Sequence, residues 1–305
     1  MKTKATPATP ARLRVAAAQY DISYFRQASD FTAKLRRWFA EAAAQDAQLL
    51  VFPEYAAMEL CSLLPQALHS DLARQLQEMQ ALLPLYLDSY RQLAQEYGLT
   101  VVAGSFPEQV QLDGGTRFVN RAYLVHADGR LDFQDKQIMT RFECEEWSIE
   151  PGTGIKVLDS AVGRLGICIC YDSEFPLLAR QQIENGADLI LVPSVTETLS
   201  GYHRVRIGSQ ARALENQCYV VHAPLVGEAD WSPAVDVNNG CAGVYTPVDH
   251  GFPSDGILLQ GTLNQPGWIF ADLDLEQTRQ IRSTGHVLNH RDWERQQERL
   301  AYPGS

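Results

Sequence analysis

Short apolar runs alternate with longer amphipathic segments along most of this sequence, and that alternation limits the folds open to it. The apolar runs "LRVAAAQ" (13–19), "QLLVF" (48–52) and "LTVVAGSF" (99–106) predict buried strands. Between the first two lies "FTAKLRRWFAEAAAQDA" (31–47), whose Ala, Lys, Arg and Glu residues favour a helix. Interleaved strands and helices indicate an α/β domain in which helices cover the sheets.

The second half of the chain repeats this pattern. The segments "GRLGICIC", "ADLILVPS" and "CYVVHAP" predict strands, and "PLLARQQIENG" and "HRVRIGSQARALENQ" predict helices. Residues 118–136 predict a hairpin around the turn pair Asp128-Gly129. Because no linker or low-complexity segment divides the chain, we expect one domain over residues 12–305 after a flexible tail at 1–11.

Charge and cysteine content exclude several classes of partner. The formal net charge of −11 argues against nucleic acid or an anionic membrane as a general partner. No apolar run approaches the length of a membrane span. The six cysteines form no C-x-x-C pair of the kind that a zinc finger needs, so we expect free thiols, no metal and a cytoplasmic location.

Three reactive side chains follow predicted strands. Glu54 comes after "LLVFP", Lys136 ends the hairpin strand "LDFQDK", and Cys170 ends "LGICIC". A thiol is nucleophilic as the thiolate, so a carboxylate could take its proton and a lysine could stabilise the charge that develops. These residues would form an acyl-transfer site without histidine. A Cys–His pair that uses His203 or His222 stays open as an alternative.

The cysteines Cys168 and Cys170 are two residues apart and would share one face if the strand continued. We expect the strand to end near Ile169. An elbow there would turn Cys170 outward and leave Cys168 in the core.

The blocks "VFPEY", "DFQDKQIMTRFECEEW" and "GICICYDSEFP", in this order and at these separations, resemble the signature blocks of the nitrilase superfamily, the carbon–nitrogen hydrolases. The resemblance extends from "RVAAAQ" to "GWIFADLDLE". It implies an α-β-β-α sandwich of the carbon–nitrogen hydrolase type. Such sandwiches usually pair into four-layered homodimers or higher homo-oligomers.

The resemblance also implies roles for the reactive residues. Glu54 would be the general base, Cys170 the nucleophile and Lys136 the residue that stabilises charge. The backbone N–H of Tyr171 would help to hold the oxyanion. No metal or organic cofactor is implied.

Family members often carry a second glutamate shortly before a Pro-Gly pair. Counted back from Pro151, Glu145 fits the usual spacing best, and Glu143 and Glu146 remain open.

The residues after the nucleophile indicate the branch. Nitrilases usually have Cys-Trp-Glu, whereas this chain has Cys170-Tyr171-Asp172, which is closer to amidases and carbamoylases. We therefore predict hydrolysis of a non-peptide C–N bond in a small amide or carbamoyl compound through a cysteine thioester. Nitrile hydrolysis at the same site, or a catalytically silent interaction module on this fold, are the alternatives.

Candidate substrate-binding residues lie beyond two of these blocks. They are Arg141, Thr196, Tyr202 and His203. The nearby arginines, which include Arg204 and Arg206, could recognise a substrate carboxylate or could form ion pairs at a surface or dimer interface.

Overall fold

The computed structural model describes residues 10–112 and 114–300, except the side chain of Gln297. The strands are β1 (Arg12–Asp21), β2 (Leu49–Val51), β3 (Thr100–Leu112), β4 (Gly115–Val125), β5 (Leu131–Asp135), β6 (Ile149–Glu150), β7 (Leu158–Ser160), β8 (Gly163–Ile167), β9 (Leu189–Ser194), β10 (Tyr219–Glu228), β11 (Val237–Asn238), β12 (Gly243–Tyr245), β13 (Ile257–Gln260) and β14 (Gly267–Asp274). Most of the expected tail at 1–11 lies outside the described residues; β1 begins at Arg12.

Helices connect most of these strands. The α-helices are α1 (Ala28–Ala43), α2 (Leu72–Glu78), α3 (Leu83–Tyr97), α4 (Arg141–Glu145), α5 (Pro176–Glu184), α6 (Leu199–Asn216), α7 (Leu275–Thr284) and α8 (Asn289–Asp292). Short 3-10 helices lie at Ala56–Leu63, Gln66–Leu68, Met79–Leu82, Cys170–Glu174 and Trp293–Arg299. Within the described part of the chain, no helix has the length and apolar content needed to cross a bilayer.

The strands form two sheets that meet along one short seam. The first has the order β5-β4-β3-β2-β1-β14, and the second has the order β7-β8-β9-β10-β12-β13. Strands β1, β2 and β3 are parallel, as are β8, β9 and β10. The sheets join where the ends of β1 and β10 pair, at Tyr20 with Leu225 and Asp21 with Val226.

The core shows how these sheets are layered. Alternate residues of a strand point to opposite faces. On β1, Val15 and Ala17 pack in one cluster with residues of the second sheet such as Leu191, whereas Ala16 and Ala18 pack with α1 and α3. Helices α5 and α6 contribute Ala179 and Val205 to the cluster that contains the second sheet. The predicted α-β-β-α sandwich is confirmed.

Strand ends bring the reactive residues to one region. Glu54 follows β2, Lys136 follows β5 directly, and Val195 follows β9. The hairpin of β4 and β5 matches the prediction for 118–136. Strand β8 ends at Ile167, two residues earlier than expected, and Cys170 then opens a 3-10 helix.

Candidate active site

Glu54 is a fully buried carboxylate that three donors hold in place. Its Oε1 accepts hydrogen bonds from Lys136 Nζ at 2.7 Å and Asn120 Nδ2 at 2.8 Å. Its Oε2 accepts one from the backbone N–H of Val195 at 2.9 Å. The next residue, Tyr55, has a φ of 54°, a left-handed conformation that turns the chain sharply after the glutamate. The donors fix the carboxylate in one orientation.

Lys136 lies between Glu54 and a second buried carboxylate, Glu143. Its Nζ is 2.6 Å from Glu143 Oε2. Glu143 also accepts hydrogen bonds from Tyr55 Oη at 2.8 Å and from Thr140 Oγ1 at 2.9 Å. Charged groups that are buried need partners of this kind. The arrangement is a closed Glu–Lys–Glu cluster.

The expectation that Glu145 is the second active-site glutamate is wrong, because the structure places Glu143 beside the lysine. Thr140 caps α4, and Glu143 reaches back to the cap as the third residue of a capping box. Two residues further along a helix is roughly 200° around its axis, so Glu145 points the opposite way. Its side chain is 55% exposed and pairs with Arg141 at 2.7 Å. Glu146 is exposed as well.

Cys170 has a φ of 49°, so the chain bends at this cysteine itself. For a residue with a side chain this conformation costs of order 1–3 kcal/mol and persists only where the surroundings hold it. The bend separates the two cysteines. Both are buried, but Cys170 Sγ lies 3.4 Å from the Val195 carbonyl oxygen at the cavity, whereas Cys168 Sγ lies 3.3 Å from Gln182 Oε1.

The pKa values in this cluster are shifted in directions that assign different tasks to its members. Burial raises the pKa of Glu54 despite the charge of Lys136, and burial together with the charge of Glu54 raises the pKa of Cys170. Burial alone would raise the pKa of Glu143, but the Lys136 ammonium outweighs it and the pKa is lowered. Burial would lower the pKa of Lys136, yet the two carboxylates raise it well above its usual value. Glu54 is thus the more basic carboxylate, and Lys136 stays charged.

Asp172 ties the segment after Lys136 to the turn that carries Cys170. Its buried carboxylate accepts hydrogen bonds from the backbone N–H groups of Gln137, Ile138 and Ile169 at 3.1, 2.8 and 3.3 Å. Burial raises the pKa of Asp172 to about 7. One side chain therefore sets the spacing between Lys136 and Cys170.

A cavity of about 250 Å³ gives access to this cluster. Its lining includes Glu54, Lys136, Cys170 and Tyr171. Tyr171 is the second residue of the 3-10 helix at Cys170–Glu174, and N–H groups in a first helical turn have no partner within the helix. The apolar wall consists mainly of Tyr55, Phe142, Trp147, Val195, Ala234 and Val235. The polar wall includes Thr140, Thr196, Glu197, Arg204, Asp236 and Asn238.

Of the candidate substrate-binding residues, the structure brings only Thr196 to the cavity lining. Tyr202 is buried, and its hydroxyl lies 2.7 Å from Cys241 Sγ. His203 is exposed. Arg141 is 86% exposed and is paired with Glu145. These three residues do not line the cavity, although Phe142 and Arg204 beside them do, because neighbouring residues on a helix face different sides.

The histidine alternative finds no support in the geometry. His222 Nε2 lies 2.7 Å from Ser194 Oγ, and its ring stacks on Tyr202. Burial lowers the pKa of His222 to about 3. Neither His222 nor His203 is among the residues that line the cavity. A neutral, enclosed imidazole of this kind belongs to the core.

Two residues of the cluster were missed from the sequence. Asn120 bridges Glu54 and Glu143, the latter at 3.2 Å, and Tyr55 bonds Glu143. The available signal for Asn120 was an amide inside the otherwise largely apolar strand "FVNRAYLV". Such a residue must find hydrogen-bond partners once the strand is buried.

A possible metal-ligand group lies elsewhere on the molecule. Asp249, His250 and His286 bring one carboxylate and two imidazoles within 4.8 Å of one another. None of these residues lines the cavity, so the reactive cluster does not involve them.

Solved structures of other proteins have the same fold. A carbon–nitrogen hydrolase from Helicobacter pylori G27 matches with a TM-score of 0.72 and 17% identity over 95% of this chain and 96% of that one. Nit3 of Saccharomyces cerevisiae, a member of branch 10 of the nitrilase superfamily, matches with a TM-score of 0.71 and 21% identity over 92% and 96%. An amidase from Nesterenkonia sp. AN1 matches with a TM-score of 0.65 and 22% identity over 93% and 98%.

Sequence comparison identifies relatives as well. A probable hydrolase, YhcX, from Bacillus subtilis (strain 168) is 32% identical over 95% of this chain and 55% of its own length. The deaminated glutathione amidase of Homo sapiens is 29% identical over 67% of this chain and 63% of its own. The matches thus span little more than half of these relatives. The model of the Carbon-nitrogen hydrolase family matches residues 14–283, nearly the whole chain. The chain belongs to the carbon–nitrogen hydrolase family, within the nitrilase superfamily.

Proposed function

We propose that this protein hydrolyses a C–N bond of a small amide or carbamoyl compound through a thioester on Cys170. One observation carries the proposal: the thiol lines a cavity together with the buried Glu54 and Lys136. These groups supply a nucleophile, a base and a fixed positive charge in one place.

In the first half of the reaction, Cys170 Sγ attacks the amide carbonyl carbon while Glu54 takes the thiol proton. The raised pKa values of both groups mean that the proton moves as the S–C bond forms. Lys136 Nζ and the backbone N–H of Tyr171 stabilise the oxyanion. The C–N bond then breaks, and Glu54 returns the proton to the leaving ammonia or amine.

In the second half, Glu54 takes a proton from water, and the water oxygen attacks the thioester carbonyl. The C–S bond breaks, the acid leaves, and Cys170 regains its proton. Glu143 keeps Lys136 charged and in position throughout, at a distance of 2.6 Å. Each proton lost in one step is returned in another, so the cycle needs no cofactor.

The comparisons favour an amide substrate over a nitrile. Relatives are named deaminated glutathione amidase, and a structural neighbour is an amidase that was studied with acrylamide. The Tyr171-Asp172 pair after the nucleophile agrees with this preference.

We also propose a cytoplasmic homodimer with no nucleic-acid or membrane partner. The resemblance to four-layered relatives supports the dimer. Leu177 on α5 and Ile207 on α6 are 68% and 62% exposed, as expected of residues that a second copy would cover.

The decisive experiment measures ammonia or amine release from a panel of small amides, carbamoyl compounds and nitriles. We expect release from amides or carbamoyl compounds. Cys170→Ala should lower the rate of release by several orders of magnitude, because no other thiol among the described residues lines the cavity and could form the thioester. Cys144→Ala is the matched control, since Cys144 is also a free thiol but is exposed on α4. Mass spectrometry of quenched protein should show an acyl adduct on Cys170.

Three results would contradict the proposal. Activity that survives Cys170→Ala would remove the thioester. Release from nitriles alone would favour the nitrilase alternative, and a protein inert towards every compound class would favour the silent interaction module.

A further inference from the structure

We infer that the cavity selects amides that carry a positively charged amine at the end remote from the scissile bond. The inference rests on the proposed amidase function and names its substrate class. It departs from the expectation of a carboxylated substrate, which depended on nearby arginines. Arg141 and Arg206 do not line the cavity, and only Arg204 does.

The charges around the cavity are mostly negative. Besides Glu54, Lys136 and Glu143, the described residues that line the cavity include one positively charged residue, Arg204. They include three negatively charged residues: Glu174, Glu197 and Asp236. Arg204 Nε lies 3.4 Å from Glu174 Oε1, so these two charges offset each other. Glu197 and Asp236 remain. An anionic group at this end of a substrate would meet like charge, which disfavours binding.

Neither of these carboxylates forms an ion pair with any described residue. Asp236 Oδ1 accepts a hydrogen bond from the N–H of Val237 at 2.9 Å, and both side chains belong to exposed residues. Their loops are fixed by Asn239, whose N–H donates to Thr196 O at 2.8 Å and whose Nδ2 donates to Glu197 O at 2.6 Å. The loops that carry the two carboxylates are therefore tied to each other, and both side chains are exposed at the same rim of the cavity.

Asn238 is a buried amide in the cavity lining, and its acceptor oxygen is unpaired among the described residues. It lines the cavity, is 3% exposed, and donates from Nδ2 to Gly227 O at 3.0 Å and to Val235 O at 2.8 Å. Because both partners are carbonyl oxygens, the atom that faces them must be the side-chain nitrogen, and the other atom is the oxygen Oδ1. Its Oδ1 is buried and has no hydrogen-bond partner among the described residues. An unpaired acceptor beside the cavity disfavours an anion and favours a group that carries donors, such as an ammonium.

The cavity volume limits the size of the substrate. A volume of about 250 Å³ corresponds to roughly eight waters at about 30 Å³ each. An aliphatic amide with a four- to six-carbon chain and a terminal amine has about this size. Its carbonyl would meet Cys170, and its ammonium would meet the rim formed by Glu197 and Asp236.

The test compares three amides of equal chain length: 5-aminopentanamide, pentanamide and 4-carboxybutanamide. At low ionic strength, we expect kcat/KM to fall in that order, with the cationic amide roughly three- to twentyfold above the neutral one. Added salt should reduce this ratio because the rim carboxylates are exposed. Glu197→Gln and Asp236→Asn should each lower the cationic-to-neutral ratio roughly two- to fivefold. Glu145→Gln, an exposed acid outside the cavity, should leave the ratio unchanged.

The outcomes separate this inference from the proposed function. If the amides are hydrolysed but the neutral or the carboxylated one is preferred, the inference is overturned and the amidase function stands. If none is hydrolysed, calorimetric binding of the same compounds to the Cys170→Ala protein decides. Preferential binding of the cationic amide supports the inference, and equal, reversed or absent binding overturns it.

Discussion

Lys136 is enclosed by two carboxylates, so replacing either one with a neutral amide should disturb the whole cluster. Its Nζ lies 2.7 Å from Glu54 and 2.6 Å from Glu143, with all three side chains buried. Breaking a buried ion pair by removing one partner typically costs about 3–5 kcal/mol, because the remaining charge is left uncompensated. Substitutions here should therefore affect both stability and turnover.

Glu143→Gln and Glu145→Gln form a matched pair that tests the assignment of the second glutamate. We expect Glu143→Gln to lower kcat by roughly 10- to 100-fold, because Lys136 loses a charged partner and shifts from its position. Thermal denaturation should show lower stability for the same variant. Glu145→Gln removes one exposed ion pair and should leave both quantities within error. Equal effects of the two substitutions would rule out this assignment.

The raised pKa of Glu54 predicts how the rate depends on pH. Glu54 accepts a proton only when ionised, so kcat/KM should fall as the pH drops through its pKa. Burial raises that pKa, so the midpoint should lie above about 4.3, the value for a solvated glutamate. A pH profile of kcat/KM on an amide measures it.

Burial raises the pKa of Asp172 to about 7, so the effect of its titration on the rate must be distinguished from that of Glu54. If Glu54 causes the acid limb, the limb should persist in Asp172→Asn. A rate independent of pH down to the usual glutamate range would contradict the role of Glu54 as base.

The reactive residues could be found from the sequence, but their supporting contacts could not. Glu54, Lys136 and Cys170 are marked by family blocks and by their places after strands. Asn120 and Tyr55 act through partners distant in the chain, such as Glu54 with Asn120, 66 residues apart. Which glutamate lies beside Lys136 depends on the direction in which α4 presents its residues, and the spacing to Pro151 does not reveal that.

At the scale of elements, the site depends on loops that hold one another in place. The segment after β5 carries Lys136, and the 3-10 helix after β8 carries Cys170. Asp172 joins them through its bonds to the N–H groups of Gln137, Ile138 and Ile169. The spacing between Lys136 and Cys170 therefore depends on both segments and on the contact between them.

Asp172→Asn should disturb this spacing without removing any reacting group. An amide nitrogen cannot accept a hydrogen bond, so at least one backbone N–H would lose its partner. We expect kcat to fall by roughly 10- to 100-fold with a smaller change in KM. Steady-state kinetics on an amide measures both constants. Asp159→Asn, on strand β7 with an exposed carboxylate, is the control and should behave as wild type.

A kcat of Asp172→Asn equal to that of wild type would show that the two loops keep their spacing without this carboxylate. A rise in KM with an unchanged kcat would instead point to a role in binding substrate.

The boundaries of helices and strands were predictable where the hydrophobic pattern decides them. They were less predictable around Cys170. The β4–β5 hairpin follows from its turn pair and alternation. The end of β8 at Ile167 and the positive φ of Cys170 do not, because a left-handed cysteine has no local sequence signature. Burial and bonds such as that from Ser173 Oγ to the Cys170 carbonyl, at 2.6 Å, hold it there.

At the scale of the molecule, the site exists because two sheets meet at a seam. Pairing between β1 and β10 is limited to Tyr20–Leu225 and Asp21–Val226, while each sheet otherwise has its own strands. Strand β1 also pairs with β14, from Arg12 with Asp274 to Gln19 with Gly267. Contacts across such sequence distances are not encoded in any local pattern. The layered architecture was therefore predictable through family resemblance, and the alternation alone indicated only an α/β domain.

Val195 contacts both Glu54 and Cys170 through its main chain. Its N–H binds Glu54 at 2.9 Å, and its carbonyl oxygen lies 3.4 Å from Cys170 Sγ. Neither contact depends on the side chain, which instead lines the cavity. Evolution, or a protein engineer, can thus vary the residue at this position and reshape the cavity wall while the contacts to Glu54 and Cys170 are inherited unchanged.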